Sequence, residues 1–137
     1  MTWEEYTASW ARLHGGFNPA QASAVVRGWV RLAYRAGSWL AARRVGPTAV
    51  TTAGLLLCLA APAVVPLGPA GLLLAALLIL AAAFADGLDG AVAVLTGRAT
   101  RLGYVYDSVA DRLGELAWLT AFWLAGAPGW LVAAAGA

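Results

Sequence analysis

From Val45 to Ala85 the chain carries no charged side chain, and none follows Glu115. Apolar stretches of that length read as transmembrane helices, since about 20 residues cross ~30 Å of hydrocarbon. Breaks at Gly46-Pro47, at Pro66–Pro69 and at Gly126–Gly129 divide the pattern into expected spans over 48–65, 70–95 and 103–125. A fourth apolar segment starts at Trp130 and reaches Ala137, too short to cross a bilayer. The expectation is therefore either a fragment of a longer protein or a last segment that is not a span. Composition excludes an ordinary soluble domain: 61% of residues are apolar and 12% charged, against roughly 45–50% and about 25% in soluble domains. The fold class is all-α, a polytopic transmembrane helix bundle.

Ahead of the spans, residues 1–19 read as polar, aromatic and irregular, ending at Gly15-Gly16 and Asn18-Pro19. They hold Glu4 and Glu5 where a cleavable signal would have a basic start, so insertion uses the internal helices. Residues 20–44 have a helical pattern. Arg27, Arg31 and Arg35 make a basic stripe, with Val26, Trp29, Val30, Ala33 and Leu40 on the other side. Such a helix lies in the membrane interface, its cations gaining about 1 kcal/mol each near anionic lipid. The plainer reading is a solvated face packed on a soluble partner. Two regions result: 1–45, the N-terminal segment with its interfacial amphipathic helix, and 46–137, the membrane core.

Arg43-Arg44 and Arg98/Arg101 fall on one side of the spans, and the other turns carry no charge. The positive-inside rule puts that side in the cytoplasm. The expected location is the inner (plasma) membrane, multi-pass, with the site described next facing the cytoplasm. All nine basic residues are Arg; with the abundant Ala and Gly this points to a high-GC bacterial genome. Cys58 reads as a small packing residue and His14 as an exposed histidine. Tyr104 and Tyr106 read as interfacial aromatics, and Glu115 as a partner for Arg112. A net charge of only +2, with arginines tracking the interface, gives no sign of nucleic-acid binding.

The chain's four aspartates, Asp86, Asp89, Asp107 and Asp111, all lie in one 26-residue segment. Spacings of three and four put each pair on one helix face. Folding the two helices back near Arg98 sets Asp89 opposite Asp107 and Asp86 opposite Asp111. An ionised Asp at a membrane helix centre costs about 2.5–3.5 kcal/mol, so such residues usually mark function. Two hard divalent cations, Mg²⁺ or Mn²⁺, would neutralise the four carboxylates and leave room for a phosphorylated ligand. Gly87, Gly90 and Gly103 flank the pairs. Close helix packing and close approach of a nucleotide explain them equally well.

The run D-G-L-D-G-A-V-A-V-L-T-G-R-A-T-R-L-G-Y-V-Y-D-S-V-A-D, Asp86 to Asp111, resembles the D-x-x-D-G-x-x-A-R-x(8)-G-x-x-x-D-x-x-x-D motif of CDP-alcohol phosphotransferases. Asp86, Asp89, Gly90, Ala93, Gly103, Asp107 and Asp111 match. Pro47-Thr48-Ala49-Val50-Thr51 is similar to the family's P-N-x-x-T segment, with Thr48 in place of Asn. The resemblance implies transfer of a phosphatidyl or similar group from a CDP-alcohol, commonly CDP-diacylglycerol, to an acceptor alcohol, with release of CMP. It implies metal on Asp86, Asp89, Asp107 and Asp111, with Asp111 also the base on the acceptor hydroxyl. It places the nucleotide against Gly90, Gly103 and Thr51. Membrane lipids and a second copy of the chain are expected partners.

Two departures stand out. Val94 occupies the motif's Arg position, so Arg98, one turn on, and Arg101 are the candidate phosphate ligands. Family members usually have six spans, and three complete ones are expected here. Competing readings are a membrane prenyltransferase, whose Asp motifs sit on well-separated helices, a non-catalytic scaffold that keeps the motif, and an Asp-lined ion path.

Overall fold

A computed structural model describes residues 1–13 and 15–137, which leaves His14 and its expected exposure outside the described residues. Six α-helices follow one another, with no strand among the described residues: α1 (Trp3–Leu13), α2 (Ala24–Ala42), α3 (Pro47–Val64), α4 (Pro69–Thr96), α5 (Arg101–Leu124) and α6 (Gly129–Ala135). The fold is all-α, a helix bundle of membrane type.

The segments Pro47–Leu67 and Pro69–Thr96 are long and apolar enough to cross a bilayer. A soluble protein's core helix would be mostly buried, whereas only 33% and 28% of their apolar windows are buried here. Leu56, Leu59, Leu73 and Leu80 point outward from them, as side chains do when lipid is the solvent. α5 carries Asp107, Asp111, Arg112 and Glu115 and does not reach that apolarity. At 24 residues it is still roughly 36 Å long by the rise of an α-helix. The segment after Trp130 forms only the seven-residue α6.

α3 packs against both α4 and α5, while α4 and α5, though consecutive, scarcely touch along their lengths. Small residues on two faces of α3 allow this. A methyl group added at Gly54 would sit 3.2 Å from Ala85 Cβ, and one added at Gly114 of α5 would sit 3.1 Å from Cys58 Sγ. Cys58, Ala82 and Ala117 close one core cluster, and Ala61, Ala75 and Ala121 help close the next. Close approach through small side chains is the usual basis of helix association in lipid. Polar ties reinforce it: Thr52 Oγ1 and Tyr106 Oη are 2.8 Å apart, and Trp118 Nε1 donates to Cys58 Sγ at 3.2 Å. Tyr106 is thus half-buried and tied to α3.

The N-terminal region differs from the irregular segment expected over 1–19. Residues 3–13 are helical because Thr2 and Glu5 form a capping box. The Thr2 N–H donates to Glu5 Oε2 at 2.8 Å, and the Glu5 N–H donates to Thr2 Oγ1 at 3.3 Å. The Thr2 amide hydrogen bond also holds the Glu5 carboxyl below its ordinary pKa. α1 lies on α2 through Trp3, Tyr6 and Tyr34, whose rings are 5.1–5.9 Å apart. Tyr6 is 1% exposed, and burial pushes its hydroxyl up to about 12.

α2 starts at Ala24, not near Ala20, because Ser23 caps it and Pro19–Gln21 is a separate 3₁₀ turn. It has three faces. Val30, Ala33 and Gly37 are buried, with α4 behind them. Arg27, Arg31 and Arg35 are exposed on a second face, and Val25, Trp29, Leu32 and Trp39 are exposed on a third. The single apolar side expected from the sequence is therefore split between core and surface.

Candidate active site

α4 ends at Gly97, whose left-handed backbone (φ 63°) turns the chain. Three residues later Thr100 caps α5 by accepting the Gly103 N–H at 3.0 Å. This tight connection sends α5 back alongside the end of α4. Asp86 and Asp111 then line one cavity together, and Asp89 and Asp107 another. Asp86, Asp89 and Asp107 each place one carboxylate oxygen within 4.8 Å of the other two. Asp111 stands outside that compact set, lining the larger of two cavities beside Asp86. Since α4 and α5 do not pack on each other, the carboxylates bridge a gap between two helices both held by α3.

Thr51 of α3 anchors the centre of the cluster. Its hydroxyl donates to Asp89 Oδ2 at 2.6 Å and has the Pro47 carbonyl oxygen at 3.2 Å, so one proton is shared between two acceptors. Asp89 is buried, at 6% exposure. Asp107 Oδ1 is buried with no hydrogen-bond partner, a costly state for a carboxylate oxygen unless a cation completes it. The donor set is all carboxylate oxygen, the chemistry hard divalent cations select. Oxygens on opposite sides of a Mg²⁺ ion lie about 4.2 Å apart, from metal–oxygen distances of ~2.1 Å. A cluster within 4.8 Å fits such an ion.

Two cavities meet at this cluster, and Thr51 and Asp89 line both. The smaller, about 180 Å³, is bounded by Gly90, Arg98, Gly103, Tyr104 and Asp107. The larger, about 380 Å³, runs between α3, α4 and α5 past Asp86 and Asp111 to Cys58 and Trp118. Arg112 and Glu115 stand beside it, joined by an exposed ion pair of 2.5 Å.

The glycines near the aspartates separate into two kinds. A methyl group at Gly87 would sit 3.4 Å from the Trp29 indole nitrogen, at van der Waals contact, so Gly87 faces α2. One added at Gly90 meets nothing within 4 Å; it would project into open space beside the small cavity. At Gly103 the near atom is only the capping Thr100 Oγ1, at 3.1 Å. Arg98 lines the small cavity, whereas Arg101 is exposed and borders neither cavity. Val94 is buried in the core cluster shared by α2, α3 and α4.

Sequence reasoning missed the Thr52–Tyr106 and Cys58–Trp118 ties. The one available signal was adjacency, since Thr52 follows Thr51 and Tyr106 precedes Asp107. No curated protein and no solved structure gives a significant match to the chain. A family model does. The model for CDP-alcohol phosphatidyltransferase matches residues 44–137, which takes in all four aspartates, Thr51, Gly90, Gly103 and both cavities. The chain therefore belongs to the CDP-alcohol phosphatidyltransferase family.

Proposed function

We propose that the protein transfers a phosphatidyl (phospho-alcohol) group from a CDP-alcohol such as CDP-diacylglycerol to an acceptor alcohol, releasing CMP, as a step of phospholipid biosynthesis. Family membership supports phosphotransferase chemistry of this general type. The observation that carries the specific reading is the convergence of Asp86, Asp89 and Asp107 at the junction of two cavities. A transfer between two substrates requires them to approach one centre from different directions.

In this reading Asp86, Asp89, Asp107 and Asp111 hold Mg²⁺ or Mn²⁺, two ions balancing four carboxylates. The ions supply charge neutralisation for the diphosphate and the leaving phosphate. The smaller cavity takes the diphosphate, with Gly90 and Gly103 leaving room for the cytidine nucleotide. Arg98 offers a guanidinium there, in place of the cation that Val94 lacks. Thr51 orients Asp89. The acceptor enters the larger cavity, and Asp111 accepts its hydroxyl proton. The acceptor oxygen then bonds to the phosphorus carrying the alcohol, the bond from that phosphorus to the CMP oxygen breaks, and CMP departs with the electron pair. Arg101, exposed at the start of α5, is a phosphate ligand only for a group reaching out of the cavity.

The enzyme sits in the inner (plasma) membrane with this site on the cytoplasmic side, where Arg43, Arg44, Arg98 and Arg101 gather. Residues 46–137 form the membrane core, and residues 1–45 form a unit packed on its cytoplasmic end. The exposed stripe of Val25, Trp29, Leu32 and Trp39 on α2 dips into lipid there, beside the basic stripe.

Membranes containing the protein, given CDP-diacylglycerol, Mg²⁺ and a panel of alcohols, are expected to release CMP with at least one acceptor. Asp111→Asn should abolish it. Full activity in that variant would remove Asp111 as the base.

A further inference from the structure

We infer that the acceptor is itself a lipid, a glycerolipid with a free hydroxyl, and that its chain occupies the larger cavity below Asp111. The inference rests on the proposed transfer reaction and names the substrate class of its second site.

The cavity's direction supports this first. Thr51 and Cys58 line it on α3, and Asp111 and Trp118 line it on α5. Each pair is seven residues apart, so both walls run roughly 10 Å along their helices from the carboxylates. On α3, an uncharged helix with the apolar composition of a membrane span, that direction leads away from the arginines at 43 and 44 and into the hydrocarbon. A small water-soluble polyol gains nothing from a slot of that depth. An acyl chain fills it.

The lining points the same way. Away from the carboxylates the walls are apolar, including Leu55, Cys58, Ala82, Ala83 and Trp118. At about 380 Å³ the space falls within the range of small-molecule pockets, ~300–1,000 Å³, where apolar contact supplies most of the binding.

Charge is the third argument. Arg112 is the single cationic residue of the lining, and Glu115 already pairs with it. The other charged residues there are Asp86, Asp89 and Asp111. A phosphorylated soluble acceptor brings about −1.5 to −2 charges at pH 7 and finds no unpaired guanidinium in this cavity. A lipid hydroxyl needs only Asp111 as proton acceptor.

The test uses the full chain in detergent–lipid micelles with CDP-diacylglycerol and Mg²⁺. Diacylglycerol and monoacylglycerol, which carry no phosphate, are compared as acceptors with glycerol phosphate and inositol phosphate, and CMP binding is measured separately. CMP release with a lipid acceptor, and at least tenfold less with the soluble ones, is the expected result. Ala83→Phe, which fills the cavity, should raise KM for the lipid acceptor at least tenfold and leave CMP binding unchanged. Ala83→Leu should act in the same direction more weakly. Transfer to a soluble phosphorylated alcohol but not to either lipid would overturn the inference and keep the reaction. So would Ala83→Phe raising KM for CDP-diacylglycerol alone, which would assign the cavity to the donor's chains. No CMP with any acceptor would instead remove the transfer reaction on which the inference stands.

Discussion

Gly90→Ala should make the protein more stable and less active. Gly90 lies within helix α4, and a Cβ built there meets nothing within 4 Å. The fold therefore imposes no steric penalty on a methyl group. Replacing a helix-interior glycine by alanine gains roughly 0.8–1.0 kcal/mol of helix propensity. The new methyl nevertheless projects beside the small cavity bounded by Arg98, Gly103 and Asp107, where the proposed donor brings its diphosphate. Overfilling a close contact typically costs about 1–3 kcal/mol, which at 1.4 kcal/mol per decade weakens donor binding roughly 5- to 150-fold. Thermal unfolding in detergent reads the first effect, and CMP affinity with donor KM reads the second. A destabilised variant, or a stabilised one with unchanged donor KM, would refute the assignment of the open space at Gly90 to the nucleotide.

Gly114→Ala should lose that gain in stability. Its methyl would meet Cys58 Sγ at 3.1 Å, a cost of about 1–3 kcal/mol that offsets the roughly 0.8–1.0 kcal/mol of helix propensity. A rise in unfolding midpoint as large as that of Gly90→Ala would contradict the packing described for α3 and α5. Thr51→Val keeps the shape but removes the hydroxyl bonded to the buried Asp89. The expected cost is about 1–3 kcal/mol, read as a lower unfolding midpoint together with a changed Mg²⁺ dependence of that midpoint. Tyr6 gives a pH test: burial raises its pKa to about 12, so the folded state favours the neutral hydroxyl. The stability that burial contributes is complete below the unfolded-state value of about 10 and is lost as pH rises from there toward about 12. Protease protection of residues 3–13 should fall across that window in the wild type, and much less in Tyr6→Phe.

What the sequence made legible was whatever a helix converts directly into proximity. Asp86 with Asp89, and Asp107 with Asp111, share faces by spacing alone, and the turn at Gly97–Thr100 does the rest. The two long apolar helices, α3 and α4, were legible because hydrocarbon demands long uncharged runs, whereas the third expected span, over 103–125, became an α5 that does not reach that apolarity. Properties that depend on a third helix were not. That α3 packs against both α4 and α5 follows from which small residues meet, Gly54 with Ala85 and Gly114 with Cys58, and no periodicity within a single helix reports it. The different roles of Gly87 and Gly90 are likewise decided by Trp29, nearly sixty residues upstream in sequence. Asp111 shares a face with Asp107 but stands apart from the compact set of three, because the set is closed by oxygen positions across a gap and not by helix register. The α1 helix is a different case. Thr2-x-x-Glu5 is a capping-box signature, but the aromatic and polar residues around it obscured the helix it begins.

The four-aspartate cluster is proposed to perform CMP-releasing transfer from a CDP-alcohol. The most direct measurement is CMP formation from CDP-diacylglycerol in membranes holding the protein, with Mg²⁺ supplied or chelated, against Asp89→Asn and Asp111→Asn. The expected result is CMP that requires both an acceptor alcohol and the divalent ion, and that disappears in each variant. CMP formation that persists in both variants, or that ignores chelation, would contradict it.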